Sequence, residues 1–483
     1  NIGFSTQVPY YVALDDDKDL TLSPRVYTNS NLFIQTEYRQ AFKNSNLISD
    51  FSYNNNDGTN SHFFSTLKGE IENSFYEMKI QSVSNKQYLK KYQINSPLVE
   101  NYSSLESYYI FEKIGDDYTF STSVEVTEDL TKNKNDSFEY LFPNYTYDKQ
   151  IFLDNNKIDT FNFTSNGSYK KFNTNVDEGK LVNDFLFAGN SFYAFNNFDT
   201  KINFLIRNVN SYGNLSEKYK EDVDHRNMAS IIYNLKYPLF KKDENNSKYL
   251  TPILSLRYSP NKGLNLINDN VLIKYEDLFS LDRIADDTIE AGGAATLGLE
   301  YKKIDNFQNE NFKIGFAMNF RNTEDDDIPK STSLGQTRSD LIGYSGLNVT
   351  ENFSLNYNFS IDKNLSETNY SLVSAIYDAG RFKTSFEYLE KSNFIGDESY
   401  LTNFSQLEIN KYNSIAFETN KNVDKNLTNY YNLIYKYKND CLEASLTYNR
   451  QFYDDSSVNS GQNIFFKLTL VPFATIAPPL SVD

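Results

Sequence analysis

From residue 353 to residue 361 the chain alternates without a slip. Phe353, Leu355, Tyr357, Phe359 and Ile361 are apolar, and Ser354, Asn356, Asn358 and Ser360 between them are polar. Successive side chains of a strand point to opposite faces, so this period of two makes one oily face and one wet face. The same alternation returns along the chain. It appears at Tyr118, Phe120, Val124 and Val126, at Ile231, Tyr233, Leu235, Tyr237 and Leu239, and at Phe312, Ile314, Phe316, Met318 and Phe320. It returns again at Tyr431, Leu433, Tyr435 and Tyr437, and last at Ile464, Phe466, Leu468 and Leu470. Clusters such as Asn54–Gly58, Lys132–Asp136 and Asp243–Ser247 punctuate it as turns and loops.

Such a chain is expected to be all-β. With 483 residues and about 18–22 residues for each spanning strand and its connection, the length predicts roughly 22–26 strands. The expected fold is a large transmembrane antiparallel β-barrel, closed between its first and last strands, with the oily face toward lipid. A mean hydropathy of −0.59 would fit a soluble protein, but only alternate residues of a barrel strand face lipid, so such averages hide membrane barrels. A soluble β-sandwich array would alternate too, but it would need opposed apolar sheets and visible domain boundaries. No run approaches the ~18 apolar residues of a spanning helix. With 38 Tyr, 38 Phe and no Trp, any interfacial aromatic girdle must be made of Tyr and Phe.

The net charge of −17 argues against nucleic acid as a partner, because phosphate binding needs a basic surface. Acidic clusters at Asp15–Asp17, Glu324–Asp327 and Asp454–Asp455 read as solvated turns. None has calcium-loop spacing, and no cofactor or metal set is expected. The two histidines, His62 beside a Gly/Asn/Ser-rich turn and His225 between acidic residues, read as loop residues. No nucleophile–base set or His/Cys metal spacing emerges, so an enzyme is not expected. Cys441 is the single cysteine, so it is either a free thiol or half of a bridge to a segment outside this sequence.

The two ends depart from the rule. Pro9 falls in the first strand-like run and Pro24 in the second, and Pro472 follows the last alternating residues. Proline cannot donate to a ladder. These prolines either mark strand ends or weaken the place where first and last strands meet, giving a barrel that opens sideways.

At these residues the chain resembles a known family. Pro9-Tyr10-Tyr11, Asp19 to Arg25 and Glu37-Tyr38-Arg39 resemble the opening strands of the LPS-assembly outer-membrane proteins (LptD, also called OstA or Imp). Tyr275 to Ile284, Arg338 to Gly343 and Asn439 to Glu443 resemble three further blocks, in family order. Val12 stands where many members have Trp, and one Cys appears where some have an adjacent pair.

The resemblance implies the C-terminal barrel domain over residues 1–473 and a short tail over 474–483. The N-terminal periplasmic jellyroll would be absent from this chain. It also implies a translocon in the outer membrane of a Gram-negative bacterium that inserts lipopolysaccharide into the outer leaflet. The sugar portion would pass through the lumen and the lipid through a lateral gate. Expected gate residues are Pro9, Tyr10, Tyr11, Pro24, Leu468, Leu470 and Pro472. Cys441 would be a disulfide candidate to the missing domain. Asp282 and Arg283 would either order a loop as an internal ion pair or touch cargo in the lumen. Implied partners are lipopolysaccharide, an LptE-like lipoprotein plug, a periplasmic LptA-like bridge and outer-membrane lipids. The rival reading is a large porin or a TonB-dependent-transporter-like barrel for small solutes.

Overall fold

The structure is a computed structural model. It describes residues 5–481 apart from 28–31, 55–59, 93, 95, 100–101, 133–135, 156–157, 174, 195–196, 262, 308, 440–441, 452–460, 471–473 and 477–478. The chain is all-β, a single antiparallel sheet of 26 strands in which each strand pairs with its sequence neighbours. The expected strand number therefore holds, at the upper end of the range. No helix among the described residues is long and apolar enough to cross a membrane, which says nothing of strands.

Several strands are built from two collinear pieces, and proline explains two of the breaks. Tyr237 and Pro238 separate Asp224–Lys236 from Leu239–Lys242, and both pieces pair with Asn246–Ser259. Pro9 separates Ser5–Gln7 from Tyr10–Asp15, and both pair with Lys18–Tyr27. In each case the opposing strand's proline leaves the ladder one bond short without redirecting the strand: Val8 N–H donates to Pro24 and Tyr237 N–H to Pro252, and neither proline can return the bond. Beyond residue 473, where the sequence suggests only a tail, Ala474–Ile476 and Pro479–Ser481 lie against Gly461–Leu470. The last strand therefore also has a partner on its far side. Among the described residues no ladder joins Ser5–Asp15 to these last strands.

The two ends of the sheet differ. At one end strands reverse through tight connections, such as residues 72–73, 243–245, 351–352 and 411–412. At the other end the connections lengthen to residues 84–103, 215–223, 260–291 and 322–340. These long connections do not stand away from the sheet. They fold back against one face of it and create every buried apolar cluster among the described residues.

That contact decides which face is which. On Phe198–Asn214, Leu205, Arg207, Val209 and Ser211 are buried beneath the folded-back segments, whereas Ile202, Ile206 and Tyr212 are exposed. On Asn246–Ser259, Ser255, Arg257 and Ser259 are buried, whereas Leu256 and Tyr258 are exposed. The polar phase of the alternation is thus the inner face and the oily phase the outer one. The strand that set the expectation obeys the same rule. Ile342 on Leu341–Thr350 is buried in an inner cluster and pairs with Ser360, which puts Ser354, Asn356 and Asn358 inside and Phe353 to Ile361 outside.

Candidate functional site

The inner face is occupied chiefly by residues 260–291. This segment lacks the alternation because its side chains do not share two faces. It inserts apolar residues between the strands' polar ones. Leu281 and Ile289 pack on Val182, Leu205, Val209, Met228 and Ile232. Ile273, Tyr275 and Leu278 pack on Ala317 and Ile342 together with Ile328 and Leu334 of residues 322–340. The wall is cleared for the aromatic rings: a Cβ on Gly298 would lie 2.6 Å from Phe279, and one on Gly315 would lie 3.1 Å from the Tyr275 ring. Tyr275 meets Tyr344 edge-on at 4.9 Å.

Charge fixes the segment's far half. The fully buried Glu290 carboxylate receives Arg283 through Nε at 2.6 Å and Nη2 at 2.8 Å, and Arg321 Nη1 at 2.8 Å. Arg257 Nη1 stands 3.2 Å from the same carboxylate and donates through Nη2 to the Leu281 carbonyl at 2.8 Å. Burial alone would push the Glu290 carboxyl up, but Arg283, Arg257 and Arg321 outweigh it and hold it low, at about 2. Nearby, Arg207 donates to Asp184 at 2.6 Å and Asp282 at 2.7 Å, and to the carbonyls of Ala285 and Thr288. Asp287 receives the Tyr219 hydroxyl and Lys218 Nζ. Burial would raise its carboxyl, and Lys218 pulls it below the ordinary range.

Asp282 and Arg283, adjacent in sequence, therefore do not pair with each other. Asp282 binds Arg207 on the wall, whereas Arg283 binds Glu290 of its own segment, which Arg257 and Arg321 of the wall hold in turn. The Arg338–Gly343 block serves the same purpose. Asp340 accepts Ser360 Oγ at 3.0 Å and Asn369 Nδ2 at 2.7 Å. A Cβ on Gly343 would lie 2.5 Å from the Phe359 ring.

A second strap lies over the first strands. Residues 84–103 carry a short helix, Tyr88–Tyr92, whose Tyr88, Leu89 and Tyr92 bury against Tyr27, Phe33, Phe64 and Leu105. The Tyr92 carbonyl accepts Arg25 Nη1 and the Tyr27 hydroxyl, each at 2.9 Å. His62 is not a loop residue. It sits on Asn60–Ile71, buried, with Nδ1 3.1 Å from Ser52 Oγ and from the Tyr88 hydroxyl, and Nε2 3.3 Å from Asp50. A serine, a histidine and an aspartate thus do meet, which local sequence context did not reveal. The Tyr88 hydroxyl of the strap bonds Ser52 Oγ and His62 Nδ1, so the set fastens the strap to the wall. His225 is likewise on a strand, Asp224–Lys236, with Nδ1 bonded to Asn210.

At the N-terminal edge, Gln7 pairs with Arg25 and Tyr10 with Leu22 in one continuous register. Val8 N–H donates to the Pro24 carbonyl at 3.2 Å. Val8 and Pro24 are therefore a hydrogen-bonded pair, and Pro24 lacks the N–H that would return the bond. Antiparallel strands alternate bonded and non-bonded pairs, so the backbone groups of Pro9 point the other way, to the strand's outer edge. The two prolines weaken different ladders: Pro24 the one between first and second strands, Pro9 the edge beyond. Tyr10 and Tyr11 are exposed on this edge. Leu468 and Leu470 lie on Gly461–Leu470. Pro472, Cys441 and Asp454–Asp455 fall outside the described residues.

Among the described residues, the inner face beyond residue 368 carries no strap. Pairing from Ser354 through Ile376 and Ser385 to Phe404 places Ile376 and Phe404 on it. Both are exposed, at 49% and 39%, beside Glu387 and Glu418. An apolar inner patch was not expected, because Leu372 and Ile376 share the polar phase with Ser374 and break the rule locally.

The family described as LptD, LPS transport system D, matches residues 45–426. No curated protein matches. Two solved structures are similar in part. The ferric-catecholate import receptor Fiu from E. coli K12 has 8% identity and a TM-score of 0.28, with 99% of this chain and 80% of that one covered. The ferric preacinetobactin receptor BauA from Acinetobacter baumannii has 8% identity and a TM-score of 0.27, with 98% and 76% covered.

Proposed function

The chain belongs to the LptD family of lipopolysaccharide transport proteins, and from that premise we propose that it is the outer-membrane barrel that delivers lipopolysaccharide to the outer leaflet. The sheet closes on itself between its first and last strands, tight turns in the periplasm and long connections outside, as outer-membrane barrels are built. The saccharide travels along the polar inner face, and the acyl chains leave through the seam. The observation that carries this reading is the N-terminal edge, where Pro9 turns its missing donor outward. Two strands that share fewer ladder bonds part at lower cost.

Three features support it. The straps cover the inner face over the first strands and again from Val182 to residue 361, and no apolar cluster of the described residues covers the stretch after 368, next to the seam. The exposed inner Ile376 and Phe404 offer a site for a lipoprotein plug of the LptE kind. Inward carboxylates such as Glu290, Asp184 and Asp282 are matched by arginines, which lessens repulsion of a phosphorylated cargo by a chain of charge −17. Cys441, with a cysteine of a preceding periplasmic domain, would tether the barrel to an LptA-like bridge.

The test is a pair of cysteines, Tyr11→Cys with Ile476→Cys on the segment that covers the last strand's far side, in a Cys441→Ser background. Oxidation is expected to stop newly made lipopolysaccharide from reaching the surface, and reduction to restore it. Unchanged export through a locked seam would overturn the gate. A solute channel, the rival reading, would instead swell sugar-loaded liposomes rapidly.

A further inference from the structure

On the outer face, side-chain amides form a hydrogen-bonded belt across five neighbouring strands. Tyr145 hydroxyl lies 3.2 Å from Ser165 Oγ, Ser165 Oγ donates to Asn183 at 2.8 Å, and Asn183 donates to Asn208 at 3.2 Å. Asn208 donates to Asn227 at 2.8 Å, Asn210 donates back to Asn208 at 2.8 Å, and Asn210 holds His225. These residues share a face with Ile202 and Ile206, opposite the buried Leu205, Arg207 and Val209, so they point away from the lumen.

Their height along the strands matters. Below the belt, toward the tight turns, the same face is apolar on four of the five strands: Phe204 and Ile206, Ile231 and Tyr233, and the rings Phe161–Phe187 at 4.8 Å and Phe163–Phe185 at 5.0 Å; on the fifth, Lys149 pairs with Asp117 of a tight turn. The strand Phe198–Asn214 has 17 residues, whereas about 9–11 cross the hydrocarbon. Amides facing acyl chains would be costly. The belt therefore starts where the hydrocarbon ends, among headgroups, on strands that rise further still.

Each amide has two N–H donors and a carbonyl with two lone pairs. The bonds within the belt leave an N–H to spare on Asn183, Asn208 and Asn210, and both on Asn227. The belt carries no carboxylate, in a chain of charge −17. We infer that this belt is a docking surface for the saccharide headgroups of the outer-leaflet glycolipid, with the phenylalanines below it packing on the acyl chains. Sugar hydroxyls both donate and accept, which suits a row of amides held in one orientation by its neighbours. This inference rests on the outer-membrane placement proposed above. It concerns glycolipid that has already arrived, next to the wall rather than inside it.

The experiment uses the full chain in nanodiscs loaded beforehand with headgroup-labelled lipopolysaccharide, so no transport is required. In N183L/N208L/N227L the labelled lipopolysaccharide is expected to exchange out about threefold faster or more, the scale of one lost hydrogen bond. Labelled phospholipid should exchange at the wild-type rate. N208S/N227S, which keeps polar groups, guards against misfolding and should stay near wild type. In N227D, at an exposed position, an added negative charge should speed release of the phosphorylated glycolipid. Equal lipopolysaccharide exchange in wild type and N183L/N208L/N227L, or equal acceleration of phospholipid, would overturn the belt. Failure of the locked-seam test would leave this result untouched, and the belt's failure would leave the seam.

Discussion

The inner wall over residues 18–105 and 182–361 and the inner wall from 368 to 438 are woven from the same alternation and finished differently. The first is strapped. Residues 84–103, 260–291 and 322–340 return to it with tyrosines, leucines and a buried carboxylate ringed by arginines. The second connects its strands by short links such as residues 423–426 and leaves its inner face open. Strand pairing alone gives a wall; stiffness is added by long connections that spend their apolar residues inside. The strapped part borders the N-terminal side of the proposed seam, and the open part borders its other side. Movement at the seam therefore belongs to the C-terminal strands.

The sharpest way to break this contrast is Glu290→Gln. It leaves Arg257, Arg283 and Arg321 buried around a neutral amide. We expect a loss of about 3–5 kcal/mol, read as a lower unfolding midpoint and as protease cleavage within residues 260–291. Acid should act on the same group. Its carboxyl is held low in the folded protein, at about 2 against an ordinary 4.5. Its contribution is thus complete above the ordinary value and fades as pH falls toward 2. Cleavage of the strap should rise between pH 5 and pH 2.5, and Glu290→Gln should flatten that rise.

Gly315→Val forces a Cβ to within 2.6 Å of the Tyr344 ring and 3.1 Å of Tyr275. Overpacking of this kind costs about 1–3 kcal/mol and should show as altered tyrosine fluorescence with the strap loosened. Tyr88→Phe removes the hydroxyl shared by Ser52 and His62. A loss near 1 kcal/mol should be measurable by hydrogen exchange in residues 84–92. Ser374→Ala, on the open wall, should change the unfolding midpoint by less than about 0.5 kcal/mol in equivalent terms. A large effect there would mean that the open wall is held by contacts as strong as those of the strapped one.

Much of the wall was legible in the sequence, because a period of two is a local signal. Phe353 to Ile361 announces its outer face without reference to any other strand. The straps were not legible, since their partners are distant: Arg207 reaches Thr288 and Arg25 reaches Tyr92. A partial signal did exist. Arg207, Arg257 and Arg321 all stand in the polar phase, each after an exposed apolar residue (Ile206, Leu256 and Phe320), on strands that run into long connections. Inward arginines call for inward anions: Glu290 answers Arg257 and Arg321, and Asp184 and Asp282 answer Arg207. The adjacency of Asp282 and Arg283 suggested a pair, but they bind different partners, Arg207 of the wall and Glu290 of their own segment.

The break at Pro9 has one more consequence. An open sheet edge is a template on which any extended chain can add a strand, and that hazard grows whenever a seam parts. A residue that offers no N–H to the outside, set in the middle of a short edge strand, shortens the stretch on which a stranger could align. Were the proposed seam to part, the same proline would guard the parted edge against other unfolded chains in the same compartment.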